Sequence, residues 1–188
     1  MRTQVRFISV LSLFLLSSAL CRAEKSPVTE NFASLAATGD LAFYSTNHIA
    51  KTDLAYYTCT SGAVFGLDVV NTPTENKKIS INFSGSDQVM TTSAIEDLAG
   101  LSIYYYYRTS PSVQIPSLEL RLSRDSVHWS NPIELSESTS ASNTRRAAAD
   151  FVPGTYFVRL TSKNSYAASV YEFRYSFGEC NCFLYIPE

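Results

Sequence analysis

Tyr104, Tyr106, Arg108 and Trp129 are the residues whose types and spacing best suit chemistry at a surface. Residues 101–108 read LSIYYYYR. In an extended strand, residues two apart share a face. Leu101, Ile103, Tyr105 and Tyr107 then fill one face, and Tyr104, Tyr106 and Arg108 stand on the other. Aromatic rings on a sheet face can stack on the apolar side of a sugar, with polar groups meeting its hydroxyls. Trp129, the single tryptophan, follows a turn after the next strong strand pattern, 118–122. Consecutive strands often lie side by side, so Trp129 is expected to reach the same surface. The competing reading buries both faces of the tyrosine strand, one of them under an N-terminal arm.

Catalytic chemistry finds little material. The histidines are His48 and His128, and no Gly-x-Ser-x-Gly elbow occurs. A serine triad needs a base beside its nucleophile; His128, next to Trp129 and near Ser126, reads as a surface histidine. Glycoside hydrolysis needs two carboxyl groups about 5–10 Å apart. No E-x-D-x-E cluster supplies them. Glu119, Glu134 and Glu172 sit singly on polar strand faces, with Arg121, Arg159 or Arg174 as expected cross-strand partners. Asp125 with Ser123, or Asp87 with Ser84 and Ser86, could join a calcium loop, but each fits an ordinary turn. No cofactor is expected. Arg145 and Arg146 read as a solvated pair that could touch an anion.

The first 23 residues carry the order of an export signal. Arg2 and Arg6 precede an apolar run from Phe7 to Leu16, and small residues follow at Cys21 and Ala23. Cleavage is expected between Ala23 and Glu24, with lipidation of Cys21 as the weaker alternative. The run is too short to span a bilayer, which takes about 20 residues. Residues 24–188 then form one domain of ordinary size, secreted, periplasmic or at the cell surface, with no transmembrane segment. Loss of Arg2, Arg6 and Arg22 moves the formal charge from −2 to −5. A mildly acidic surface argues against nucleic acid, which wants a basic stripe. Cys59, Cys180 and Cys182 remain. In an oxidising compartment a bridge from Cys59 to Cys180 or Cys182 is expected. The C-x-C pair has no histidine near it, so no zinc site is expected.

These residues must be positioned by strands. Alternation of period two recurs at 78–83, 101–108, 118–123, 156–161 and 171–177, as in strands with one face on a core and one in water. Weaker strands are expected at 41–45, 55–60, 64–69, 89–92, 128–135 and 182–186. Asn71-Thr72-Pro73, Ser84-Gly85-Ser86, Ser110-Pro111 and Pro153-Gly154 mark breaks. One helix or covering arm is expected at 29–37, a single helical turn at 93–98, and a mobile loop at 136–143. About ten short strands make an all-β chain, an antiparallel β-sandwich of jelly-roll type.

The second half of the chain resembles a known group. TTSAIEDLAG leads into LSIYYYYR, followed by LELRLSRDSVHW, NPIEL, PGTYFVRLTSK and YEFRYSF. From about Thr91 to Phe177 this is similar to the secreted jelly-roll adhesin-like domains of Bacteroidetes, cleaved-adhesin domains among them, and to carbohydrate-binding β-sandwich modules. In such domains a strand ends in Ser-x-Asp-Gly, turns tightly and meets a Trp. Here Ser123-Arg124-Asp125-Ser126 leads to Trp129, with Ser126 where Gly is usual. The motif concerns turn geometry, so it bears on fold more than on function. The reading that results is a secreted, non-enzymatic adhesion or carbohydrate-binding module that presents a sheet face and end loops to a glycan or a cell-surface protein. The alternative is a structural or interaction subunit of a surface assembly without a small ligand. A glycoside hydrolase is the less favoured third class.

Overall fold

The structure, a computed structural model, describes residues 25–32, 49–68, 78–107, 114–141 and 143–178. The described residues form eleven strands and no helix. They are β1 (Val28–Glu30), β2 (Ile49–Lys51), β3 (Tyr56–Thr60), β4 (Val64–Asp68), β5 (Lys78–Phe83) and β6 (Val89–Thr92). They continue with β7 (Ile95–Tyr107), β8 (Leu118–Ser123), β9 (Ser136–Ala141), β10 (Thr144–Ser162) and β11 (Ala168–Phe177). The pairings are antiparallel and build two sheets of a sandwich. One sheet runs β9-β10-β7-β11-β5-β4, with β1 beside the far end of β11. The other runs β2-β3-β6-β10-β8.

Strand β10 belongs to both sheets. Its first half, from Thr144, lies between β9 and β7. Its register then slips between Asp150, Gly154 and Tyr156, and Phe157–Ser162 pairs with β8 while Arg159–Thr161 pairs with β6. Strands that change sheet do so at such bulges. Pro153 has no N–H for a ladder and is exposed in this stretch, where a regular ladder would not hold it.

The period-two faces close on one core. Ile103, Tyr105, Leu120, Val158, Leu160, Phe173 and Tyr175 are all buried. Aromatic rings dominate its centre. Phe32 meets Tyr57, Phe65 and Phe173 edge-on, at centroid separations of 5.1, 5.7 and 5.9 Å. The Tyr57 and Tyr175 hydroxyls satisfy one another at 2.9 Å, which buried phenols require. Burial raises the pKa of both. Cys59 is a free, buried thiol whose pKa is pushed up to about 12 by burial alone. Cys180 and Cys182, the partners expected for a bridge from Cys59, lie outside the described residues.

Several local expectations are corrected. The 136–143 stretch, rich in Ser and Thr, holds β9, because its backbone completes the sheet edge beside β10. The turn expected at 93–98 is the start of β7, since Ile95 and Leu98 pair with Tyr156 and Gly154. The strand expected at 128–135 reduces to one bridge, Leu120 to Ile133. Val28–Glu30 is a strand on β11 rather than part of a helix. The export segment, Cys21, His48, Arg108 and the strands expected at 41–45 and 182–186 lie outside the described residues. Among those described, no helix is long and apolar enough to cross a membrane.

Candidate functional site

Strand β8 ends at Ser123 and the chain turns back on itself through residues 123–130. The Ser123 hydroxyl donates to Asp125 Oδ1 at 3.0 Å and accepts from the Asp125 amide at 3.2 Å. Asp125 Oδ1 also accepts from the amides of Val127 and His128, at 2.9 and 2.8 Å. Its Oδ2 lies 2.7 Å from His128 Nδ1. One carboxylate thus organises the whole turn. These partners, the His128 side chain first, hold the Asp125 carboxyl well below the ordinary aspartate range. Ser126 takes up the reversal with φ at +64°. Ser130 then ties the loop back to β8, its amide donating to the Leu122 carbonyl at 2.8 Å and its hydroxyl accepting from the Leu122 amide at 3.1 Å.

Opposite this loop stands the irregular stretch of β10. Phe151 and Tyr156 meet edge-on at 5.7 Å, and the Tyr156 hydroxyl donates to the Val152 carbonyl at 3.0 Å. The Arg124 guanidinium lies 5.6 Å from the Tyr156 ring centre. Between loop and bulge is a cleft of about 520 Å³. Leu122, Ile133, Phe151 and Tyr156 supply its apolar wall; Arg124, Asp125, His128 and Ser130 supply polar groups around it. That volume falls within the ordinary range for a small-molecule site. An apolar wall with a few convergent polar groups suits a sugar-sized, amphipathic ligand. The Asp125–His128 pair has the look of a base and its orienting acid. The Ser123 hydroxyl, however, donates to Asp125, so among the described contacts no serine nucleophile meets the imidazole.

Of the four residues expected to form one surface, the three that are described do not share it. Tyr104 and Tyr106 are half-buried on the outer face of the β7 sheet. The Arg174 guanidinium sits 4.5 Å from the Tyr104 ring centre and bonds Glu172 at 2.7 Å. Tyr106 borders a smaller cleft of about 240 Å³ with Asn82, Ser84 and Ser169. Trp129 is on the other sheet, its ring 3.8 Å from the Arg159 guanidinium of β10. The reason is topological: after Tyr107 the chain crosses to the second sheet, where β8 pairs with β10 and not with β7. Arg108 lies outside the described residues.

The remaining candidates are ordinary in their contacts. Glu119 and Glu172 pair with Arg121 and Arg174 two residues along the same strand, at 2.6 and 2.7 Å, rather than across strands. Arg145 bonds Glu137 at 2.8 Å and Arg146 bonds the Ser102 hydroxyl at 2.8 Å, so this pair is not merely solvated. Asp87 lies 3.5 Å from Lys163. Among the described residues no group of three or more His, Cys, Asp or Glu could hold a metal. Of the cleft residues, the sequence singles out Asp125 only as a turn residue and His128 only as a surface histidine, and gives Arg124 and Tyr156 no site role; the one visible signal was the Ser-x-Asp turn. Their meeting with Phe151 depends on the bulge of β10, which no local pattern announces.

No protein-family model matches the chain, and no curated protein matches it by sequence. Solved structures do resemble it. A family 6 carbohydrate-binding module aligns over 73% of this chain and 95% of its own, at 16% identity and a TM-score of 0.42. The K2 cleaved adhesin domain of Lys-gingipain aligns over 81% of this chain and 100% of its own, at 12% identity and a TM-score of 0.50. At that identity the likeness to the adhesin domain is one of fold: the chain has an adhesin-like antiparallel β-sandwich.

Proposed function

We propose that this chain is an exported, non-enzymatic module for adhesion or carbohydrate recognition. Its ligand site is the cleft between the 123–130 loop and the Phe151–Tyr156 bulge. The observation that carries this reading is the cleft itself, an aromatic wall facing Arg124, Asp125, His128 and Ser130. The loop is held by its own hydrogen bonds, so a ligand would meet polar groups already in place. Preorganisation of that kind lowers the ordering cost of binding. The fold shared with an adhesin domain is in keeping with the reading, although fold alone assigns no function. A glycan-array screen of residues 24–188 should retain a defined set of sugars, and His128→Ala should lose them. An empty array, or an unaltered pattern for His128→Ala, counts against the cleft.

One observation favours a second reading, an interaction subunit without a small ligand. Val127 and Val152, 69% and 74% exposed, stand at this same end of the sandwich. That reading expects Val127→Asp to abolish a protein–protein association, with no glycan bound by the unaltered chain.

A further inference from the structure

Arg159 differs from the other strand arginines. Arg121, Arg145 and Arg174 each bond a carboxylate, and Arg146 bonds a serine hydroxyl. Arg159 has no carboxylate partner among the described residues, and its Nε is buried with no hydrogen bond at all. The Arg145 Nε is also unpartnered, but its Nη1 is satisfied by Glu137. The Arg159 guanidinium lies over the Trp129 ring, its central carbon 3.8 Å from the ring centre, a contact that restricts the motion of its planar fork. Directly across the ladder stands Arg121. Burial first, and then the charge of Arg121, lower the Arg159 pKa. A guanidinium nevertheless stays protonated in proteins. A fixed, uncompensated positive charge beside a second guanidinium is the arrangement that an oxyanion would relieve.

The surroundings indicate what carries the oxyanion. Thr58, Thr91, Arg159 and Arg121 are register partners in one row across β3, β6, β10 and β8. Strands lie about 4.8 Å apart, so the row spans about 14 Å. Val158 and Leu160 point into the core, so Arg159 faces outward from the sheet, and its row partners face outward with it. Two hydroxyls followed by two guanidiniums, flanked by an indole, match a chain bearing both hydroxyls and acid groups. Glu119 is the acid nearest the row and is bonded to Arg121.

We propose that the outer face of the β8–β10–β6–β3 sheet is an anion subsite for an acidic polysaccharide, with Arg159 on Trp129 receiving a sulfate or carboxylate and Thr58 and Thr91 meeting sugar hydroxyls. None of these residues lines the end cleft, although Trp129 belongs to the loop that walls it and Arg121 donates to the Ser130 carbonyl at 3.4 Å. Trp129 is the single tryptophan of the chain, so its fluorescence reports binding at this end of the sheet, and the Arg159 variants separate this face from the neighbouring cleft. The purified protein is titrated with dextran sulfate, polygalacturonate, neutral dextran, polyglutamate and inorganic sulfate. A saturable fluorescence change is expected with dextran sulfate or polygalacturonate, weakening as salt rises, and none with dextran. Arg159→Gln should weaken that binding at least tenfold, and Arg159→Lys, which keeps the charge but not the planar fork, should also weaken it. Arg146→Gln removes an equal charge from the other sheet and should leave it within twofold. No response to either acidic polysaccharide overturns the proposal. So does equal weakening by Arg159→Gln and Arg146→Gln, which would mean general surface charge. Polyglutamate binding as tightly as the polysaccharides would assign the face to an acidic peptide, and inorganic sulfate competing at equal concentration of acid groups would show a site for the free ion; either result also overturns it.

Discussion

At the scale of single residues, the turn after β8 carries the most information. Ser126 sits at φ +64°, where a side chain costs about 1–2 kcal/mol relative to ordinary backbone. Ser126→Gly removes that cost, partly offset by the greater freedom of glycine when unfolded. Equilibrium unfolding should show a gain of about 0.5–1 kcal/mol. A loss would mean that the serine side chain contributes something the turn geometry does not reveal. Asp125 makes a second prediction. Its carboxyl titrates below the ordinary aspartate range because His128 and the 127 and 128 amides favour the charged form. The stability it adds is fully present above the ordinary aspartate value and is lost as pH falls through the lower folded value. A carbon-detected NMR titration should place its midpoint below that of an unstructured aspartate; a midpoint at or above it would contradict the described turn. Cys59 makes a third. With its thiol buried and its pKa pushed up to about 12, it should resist alkylation in the native protein and react once denatured without reductant. Protection that persists in denatured, unreduced protein would show a disulfide there. The sequence disclosed the turn through Ser123, Asp125 and Trp129. It could not disclose the Asp125–His128 contact, because a three-residue spacing brings two side chains together only once the backbone reversal at Ser126 is known.

At the scale of elements, alternation was a reliable guide where burial was one-sided. The five strongest period-two runs all became strands, β5, β7, β8, the second half of β10 and β11. Phe173 and Glu172 test that reading of faces. Phe173 is fully buried among Phe32, Tyr57 and Tyr175, so Phe173→Ala should cost about 3–5 kcal/mol. Glu172 bonds a half-exposed Arg174, and Glu172→Ala should cost under about 1 kcal/mol. Similar costs at the two positions by denaturant unfolding would show that β11 is turned over. The elements missed are those whose pattern is polar or interrupted. SESTSA in β9 has no apolar alternation, because an edge strand of this kind is stabilised by its ladder to β10 rather than by a buried face. The long course of β10 was equally hidden. Pro153-Gly154 reads as a break, yet the chain passes through it from one sheet to the other.

At the scale of the whole molecule, the sandwich separates residues that are close in sequence. The β7 and β8 strands are neighbours along the chain and belong to different sheets, so Tyr104 and Trp129 stand on different outer faces. The fold class was legible from strand spacing and turn residues, whereas the pairing of strands was not, since ladder partners far apart in sequence leave no local trace. The same pairing brings the 123–130 loop over the β10 bulge and creates the cleft at one end. The proposed ligand site is at that end rather than on the tyrosine face. The most direct measurement is the affinity, by isothermal titration calorimetry, of a retained glycan for the unaltered chain and for His128→Ala, Arg124→Ala and Tyr104→Ala. Arg124 is exposed and outside the core, so its removal should leave the melting temperature unchanged, whereas His128→Ala also removes the bond to Asp125 and should lower it slightly. Binding should be at least tenfold weaker for His128→Ala and Arg124→Ala, about 1.4 kcal/mol or more, with Tyr104→Ala within twofold of the unaltered chain. Unaltered affinity in both cleft variants, with binding lost in Tyr104→Ala, would contradict it and move the site to the outer face of β7.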